Sequence, residues 1–330
     1  MKRREFITLI GGAAATWPLP VRAQKASGER HIGILMAYQD SNAGAQALLE
    51  VFRSGLKNSG WVEGRNIQFT HRWAGSDIDL MQRSAKELVA LQPDILLASD
   101  TPPTAALLRE THAIPIVFAN IVDPVGSGFV ASLSRPGGNV TGFVNLEASM
   151  AGKWLELLKA LAPRLDRLVV PFNPATSPFS HIYLDYFNST APSFGVQVVA
   201  ASVTDMAALE ALVAAQAHES NTGFIPVPGA FMFAHRAEIA ALVARNRLPA
   251  VYNNRTYVDA GGLLSYGNII ADNYLRASAY VARILKGEKP SELPVQFPVK
   301  FEMVINLRAA KQLGIAVSPA LLATADEVIE

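Results

Sequence analysis

The chain has 330 residues, of which 50% are hydrophobic and 17% charged, with a formal net charge of +1. That length and apolar content give a globular chain with ample core and favour two domains over one. It contains no cysteine, which excludes disulfides, thiolate zinc sites, cysteine nucleophiles and a lipid-modified N-terminal cysteine.

Residues 1–23 read as a cleaved signal peptide. "MKRREF" is a basic start, "ITLIGGAAATW" a short apolar run, and "VRA", ending at Ala23, puts small residues where a signal peptidase cuts. Phe6 to Val21 is uncharged, but Pro18, Pro20 and paired glycines interrupt it, whereas a spanning helix wants about 20 mainly apolar residues. Arg3-Arg4 ahead of Glu5-Phe6-Ile7 resembles a twin-arginine export signal. Cleavage removes Lys2, Arg3, Arg4 and Arg22 against Glu5, leaving 25 basic and 27 acidic side chains and a net charge of −2. No basic excess remains for nucleic acid. The expectation is a periplasmic protein with no membrane insertion once the leader is gone.

From His31 the chain repeats one unit: a short apolar run, a turn, then an amphipathic helix. "HIGILMAY" predicts a buried strand, and Leu48, Phe52 and Leu56 predict a helix over 43–58. "NIQFTHRW" is a strand, "DIDLMQRSAKELVAL" a helix, and "PDILLAS" a strand leading into a helix from Thr101. Then come "IPIVFAN", "NVTGFVN" and a helix over Ala148–Leu161. The alternation restarts at "RLVVPFN", with helices predicted over Ser180–Phe194, Asp205–His218 and Ala230–Asn246, and strands at "VQVVAAS" and "TGFIPV". "LPAVYNN" and "GGLLSYG" read as strands, Asn273–Lys286 as a helix, "LPVQFPVKFEMVIN" as a long strand region, and Leu307–Leu313 as a last helix. Strands alternating with helices of this length imply α/β architecture: two doubly wound parallel-sheet lobes.

One motif points elsewhere. Gly126-Ser127-Gly128-Phe129-Val130-Ala131 is a G-x-G-x-x-A run with Glu147 at about the offset of a ribose-binding carboxylate. A dinucleotide strand runs straight into its first glycine, and a full helix follows. Here Asn120 to Pro124 intervene, and Arg135-Pro136-Gly137-Gly138 ends any helix after a half-dozen residues, while a crossover needs about a dozen. The glycines are expected to shape a loop. There is no G-x-S-x-G elbow, H-E-x-x-H or phosphate-binding loop, and the six histidines lack ligand spacing. No catalytic residue, metal ligand or cofactor is expected, and His71 is expected to pack or hydrogen-bond.

What the loops offer is binding. In open α/β sheets ligands sit beyond the C-terminal ends of strands. The candidates there are Tyr38, Ser41 and Asn42 in "AYQDSNAG", Thr101 in "SDTPPT", and Asn120 and Asp123 in "ANIVDP". In the second half they are Asn173 and Ser177 in "FNPATSP" and Tyr252 and Asn253 in "VYNNRTY". The same residues also serve plainer ends: Ser41, Thr101 and Ser177 as helix caps, Asn173 and Asp123 as turn formers, Tyr252 as a core aromatic.

The long stretches "DPVGSGFVASLSRPGGNVTGF", "RLPAVYNNRTYVDAGGLLSYG", "AYVARILKGEKPSELPVQFPVKFEMVINLRAAKQLGI" and "LLATADEVIE" resemble ABC-transporter substrate-binding proteins of the tryptophan/tyrosine type, with the type I periplasmic binding protein fold. The resemblance covers essentially the whole mature chain. It implies two lobes joined by a hinge with three crossings: 30–145 plus 268–290 as lobe 1, and 146–267 plus 291–330 as lobe 2. It further implies a monomer that closes on a small-molecule ligand and delivers it to an ABC permease and its ATPase. Thr101 and backbone N–H groups of its loop would face a carboxylate, and Asn173–Ser177 and Tyr252–Asn254 would finish the cage. Relatives often carry an acidic residue in the loop that here reads Ile225-Pro226-Val227-Pro228-Gly229. Its absence opens the site to a carboxylate or aromatic compound without an amine as well as to an amino acid. A sensor subunit presenting ligand to a membrane receptor would share all these features, and an exported enzyme would need a convergent acid, base or nucleophile.

Overall fold

The computed structural model describes residues 28–75, 77–145, 147–216 and 218–330; the leader read in residues 1–23 lies outside the described residues. The first half alternates β1 (Arg30–Met36), α1 (Ala43–Asn58), β2 (Ile67–Trp73), α2 (Ile78–Ala90), β3 (Ile95–Ala98), α3 (Thr101–Glu110), β4 (Ile116–Ile121) and β5 (Val140–Val144). These strands form a sheet in the order β2-β1-β3-β4-β5 with every pairing parallel. Parallel sheets are covered on both faces, and β1 shows why its sequence is continuously apolar: Ile32, Ile34, Leu35 and Met36 are all fully buried. Helix α1 buries Leu49, Phe52 and Leu56, and the Asn42 side chain accepts the Ala45 N–H to start it.

The second half runs α4 (Met150–Leu161), β6 (Arg167–Phe172), α5 (Ser180–Thr190), β7 (Gln197–Ser202), α6 (Met206–Gln216), β8 (Thr222–Phe224), α7 (Ala230–Ala234), α8 (Arg236–Arg245), β9 (Val251–Tyr252), α9 (Arg255–Asp259) and β10 (Leu264–Asn268). After α10 (Ile270–Leu285) come β11 (Phe301–Asn306), α11 (Leu307–Leu313), α12 (Pro319–Leu322) and β12 (Glu327–Ile329). The strand orders β7-β6-β8 and β12-β11-β10-β9 join through a single bridge between Phe224 and Ala250. A second core gathers Trp154, Leu158, Tyr183 and Phe187 against Val170, Leu264 and Ile305.

Helix α10 follows β10 of the second lobe but belongs to the first. Its Tyr274, Ala277 and Val281 are buried with Ile34, Phe52 and Val117. Gly55 allows this: a Cβ there would run into Ser278 Oγ of α10. The chain therefore passes between the lobes three times: between Val144 and Met150, around Ile269, and before β11. Gln296 pairs along β5, its carbonyl accepting Val144 N at 2.9 Å and its N–H reaching Gly142 O at 3.0 Å. Thr141 Oγ1 donates to Leu293 O at 2.6 Å.

Departures from the expected elements have local causes. "LPVQFPVKFEMVIN" is a strand only from Phe301, since Pro294 and Pro298 remove ladder donors. β11 runs antiparallel to β10 because one strand leaves the second lobe at the point where the other returns to it. The helix expected over Ala230–Asn246 breaks at His235, which ends α7 and begins α8, and the one expected over Ser180–Phe194 tightens to a 3₁₀ turn at Ala191. The glycine run makes a loop with no helix after it: Asp123 Oδ1 accepts Gly126 N at 2.8 Å, and Gly128 sits at φ +72°.

Candidate functional site

In each sheet, successive connections reverse direction between two neighbouring strands, and the C-terminal ends flanking that point form a crevice. In the first lobe the reversal falls between β1 and β3, in the second between β6 and β8. The crossings leave from the C-terminal ends of β5 and β10, so the C-terminal edges of the two sheets border the same hinge.

At the first crevice, Tyr38 follows β1 while Ser99, Asp100 and Thr101 follow β3. Ala37 N donates to Ser99 Oγ at 2.8 Å, tying the two loops together. Asp100 caps α3: its Oδ1 accepts Thr101 N at 2.7 Å, and its carbonyl accepts Thr104 Oγ1 at 2.8 Å. Thr104 N also reaches the Asp100 carbonyl, and Pro102 and Pro103 have no N–H, so the start of α3 has no free backbone N–H for an anion. The Thr101 N–H, read from sequence as facing a ligand carboxylate, is occupied by Asp100. No Lys, Arg or His pairs with the Asp100 carboxyl among the described residues. It retains some open surface yet is crowded by protein; burial raises its pKa to about 6, against the opposing pull of the Thr101 N–H.

Tyr274 of α10 comes to the same spot. Its side chain is fully buried and its hydroxyl has no hydrogen-bond partner among the described residues. Burial, with Tyr38 and Asp100 close by, pushes its pKa well up, and the nearby Ser99 hydroxyl opposes that rise. Tyr38 is likewise pushed up, by burial first and the Asp100 charge second.

The remaining first-lobe candidates sit apart from this group in role. Ser41 is exposed and Asn42 caps α1. Asn120 lies at φ +69° in an irregularity of the β4–β5 pairing, buried, with Oδ1 accepting from Asn273 Nδ2 at 3.1 Å. Asp123 holds the glycine turn. His71 packs on Phe69 beside Arg53, and burial with that cation lowers its pKa to about 4.

At the second crevice the polar groups bind one another. Asn173 Oδ1 accepts Thr176 N and Oγ1, and its Nδ2 donates to Thr204 O at 3.1 Å. Ser177, fully buried, donates to Pro228 O at 2.9 Å, joining the β6 and β8 loops, and Gly229 leaves room for that hydroxyl. Phe231 N donates to Thr176 Oγ1 at 3.3 Å, leaving the Phe231 ring half-buried beside this loop. Tyr252 is 1% exposed and stacks on Tyr257 with ring centroids 4.6 Å apart, lining a small apolar crevice with Val243, Leu248 and Leu313. Asn253 is half-buried, with its backbone carbonyl against Gly267.

From the sequence, Tyr38 and Thr101 are candidates and Asp100 stands in the same loop as Thr101, while Tyr274 is not among them. Tyr274 gave no signal, because nothing local says that its helix docks on the other lobe. Among the described residues no three His, Asp or Glu side chains are grouped to hold a metal, and no helix is long and apolar enough to cross a membrane.

Two α/β lobes joined by a three-crossing hinge define a hinged solute-binding protein with the type I periplasmic fold. The chain belongs to the family of ABC transporter substrate-binding proteins, whose model matches residues 41–329. It is a binding protein, not an enzyme. A tyrosine-binding protein of Clostridioides difficile (strain R20291) is 25% identical over 262 residues, 79% of this chain and 75% of that one. The crystal structure of a conserved domain protein from Vibrio cholerae superposes with TM-score 0.81 at 28% identity, covering 91% of this chain and 99% of that one. A domain from Streptococcus pneumonia in complex with L-Trp has the same fold, with TM-score 0.81 and 24% identity over 92% of this chain and 100% of that one.

Proposed function

We propose that the chain is the exported, monomeric receptor of an ABC importer. It captures a small aromatic or carboxylate-bearing compound, an amino acid or a relative of one, between the two crevices and passes it to a permease driven by its ATPase. The observation that carries this reading is the position of both switch points on sheet edges that border one hinge, where closure would enclose a ligand from both sides. The names of the relatives, one tyrosine-binding and one crystallised with L-Trp, support an aromatic amino acid as the leading class. Export through the leader read in residues 1–23 would place the protein in the periplasm.

The lobes extend over 30–145 with 268–290 and over 146–267 with 291–330 in this reading, the second boundary shifting to about 297 if Gln296 is counted with the strand it joins. The test is a thermal-shift screen of protein unfolded and refolded to strip ligand, against aromatic and branched amino acids, aromatic acids, short carboxylates and purines. A ligand at about 1,000 times its dissociation constant should stabilise by about 4 kcal/mol. Small-angle scattering of the complex should show compaction. A stabilising compound that the protein also converts would overturn the reading.

A further inference from the structure

Tyr38 of the β1 loop, Asp100 of the β3 loop and Tyr274 of α10 lie close enough to feel one another's charge at the first switch point. The inference concerns the ligand of that cleft and so rests on the reading just given. Each group is incompletely satisfied by the protein. Tyr274 is fully buried with a hydroxyl that bonds to nothing among the described residues. Asp100 Oδ1 is bound by the Thr101 N–H, while among the described residues Oδ2 has no donor and no cation pairs with the carboxyl. Buried polar groups in native proteins are normally hydrogen-bonded, so an exception grouped with others in a cleft points to a partner that arrives from outside.

The sign of that partner follows from what surrounds it. A ligand anion would meet the Asp100 carboxylate, with no compensating N–H at the start of α3, where Thr101 N and Thr104 N are both taken and two prolines follow Thr101. A cation meets one carboxylate and two tyrosine oxygens able to accept. We propose that Asp100 is the acceptor for a protonated amine of the ligand, flanked by the hydroxyls of Tyr38 and Tyr274, and that any ligand carboxylate lies toward the second lobe. The titratable groups facing Asp100 are these two tyrosines, and burial keeps both protonated through neutral pH. Asp100 itself, with its pKa raised to about 6, titrates within the working range and gives the site a pH signature.

The test uses the purified full chain and three probes sharing one ring: L-tyrosine, tyramine, and 3-(4-hydroxyphenyl)propanoate, which lacks the amine. Calorimetry should show the two amines binding at least about tenfold more tightly than the propanoate near pH 7.5, and weakening about tenfold by about pH 5 as Asp100 takes up a proton. Asp100→Asn should cut amine affinity by at least about tenfold, flatten that pH dependence, and leave propanoate binding equal or stronger. A measurement needing no variant guards against misfolding. Near pH 6, binding of an amine probe should release about half a proton per site, read from buffers of different ionisation enthalpy. Equal binding of the propanoate, amine affinity that survives Asp100→Asn, zero proton release, or no binding of either amine at about 10 mM would each overturn the assignment. In the last case, a hit elsewhere in the wider screen would leave the receptor reading standing while this assignment fell.

Discussion

The two crevices are built on the same plan and finished differently. In the second lobe the loops after β6 and β8 are knitted together: Asn173 holds Thr176 and Thr204, and Ser177 holds Pro228. In the first lobe Ser99 ties the loop after β3 to β1 and its loop, and beside it the Tyr274 hydroxyl and the second Asp100 oxygen have no partner among the described residues. A loop whose polar atoms satisfy one another is a wall, and it contributes shape. A loop with an unmet carboxylate contributes chemistry, at a standing cost to the ligand-free fold.

That contrast can be broken from either side. The largest effect expected is a gain. Asp100 has its pKa raised from 3.8 to about 6, so the folded state holds its proton more tightly than the unfolded chain. Its penalty is absent below about pH 4, grows as pH rises to about 6, and stays at up to about 3 kcal/mol above that. Asp100→Asn keeps the helix cap and should therefore stabilise the ligand-free protein by up to that amount at neutral pH, and by nothing near pH 4. Urea denaturation at the two pH values measures it, and an equal effect at both would refute the burial argument. In the opposite lobe the sign reverses. Asn173→Ala takes the side-chain partner from Thr204 O and Thr176 Oγ1, while Thr176 N keeps the Asn173 carbonyl, and should cost about 1–3 kcal/mol in the same assay. Ser177→Ala should cost about 1–2 kcal/mol, since it leaves the Pro228 carbonyl without its donor. Tyr274→Phe removes a hydroxyl that bonds to nothing among the described residues and should change stability by less than about 1 kcal/mol, toward the stable side. A large loss there would mean that the hydroxyl has a partner in solution and is not waiting for one.

The fold was largely legible because its signals are local. Continuous apolar runs such as Ile32–Met36 mark strands covered on both faces, and Phe52 and Leu56 mark the inner stripe of α1. The interruption at His235 was not, since residues on both sides are good helix formers and nothing in Ala230–Asn246 announces the break. The site was legible as a set of loops but not as a set of open groups. Whether Ser177 is free depends on a carbonyl 51 residues away, and whether Asn173 is free depends on one 31 residues away. Asp100, not Thr101, is the cap of α3. Its second oxygen becomes visible only when the neighbours that might have engaged it are in place.

Two of the three passages between lobes run side by side. Ile269 N donates to Lys300 O at 3.0 Å, and Lys300 Nζ meets Asp272 at 2.7 Å, so the outgoing and returning chains are stitched into one ribbon. Mechanically that leaves two supports rather than three: this ribbon, and the passage between Val144 and Met150. Two supports define an axis, as on a door, and permit swing about it while resisting twist and slide. In the proposed receptor the jaws of the cleft would therefore meet in the same alignment each time they shut.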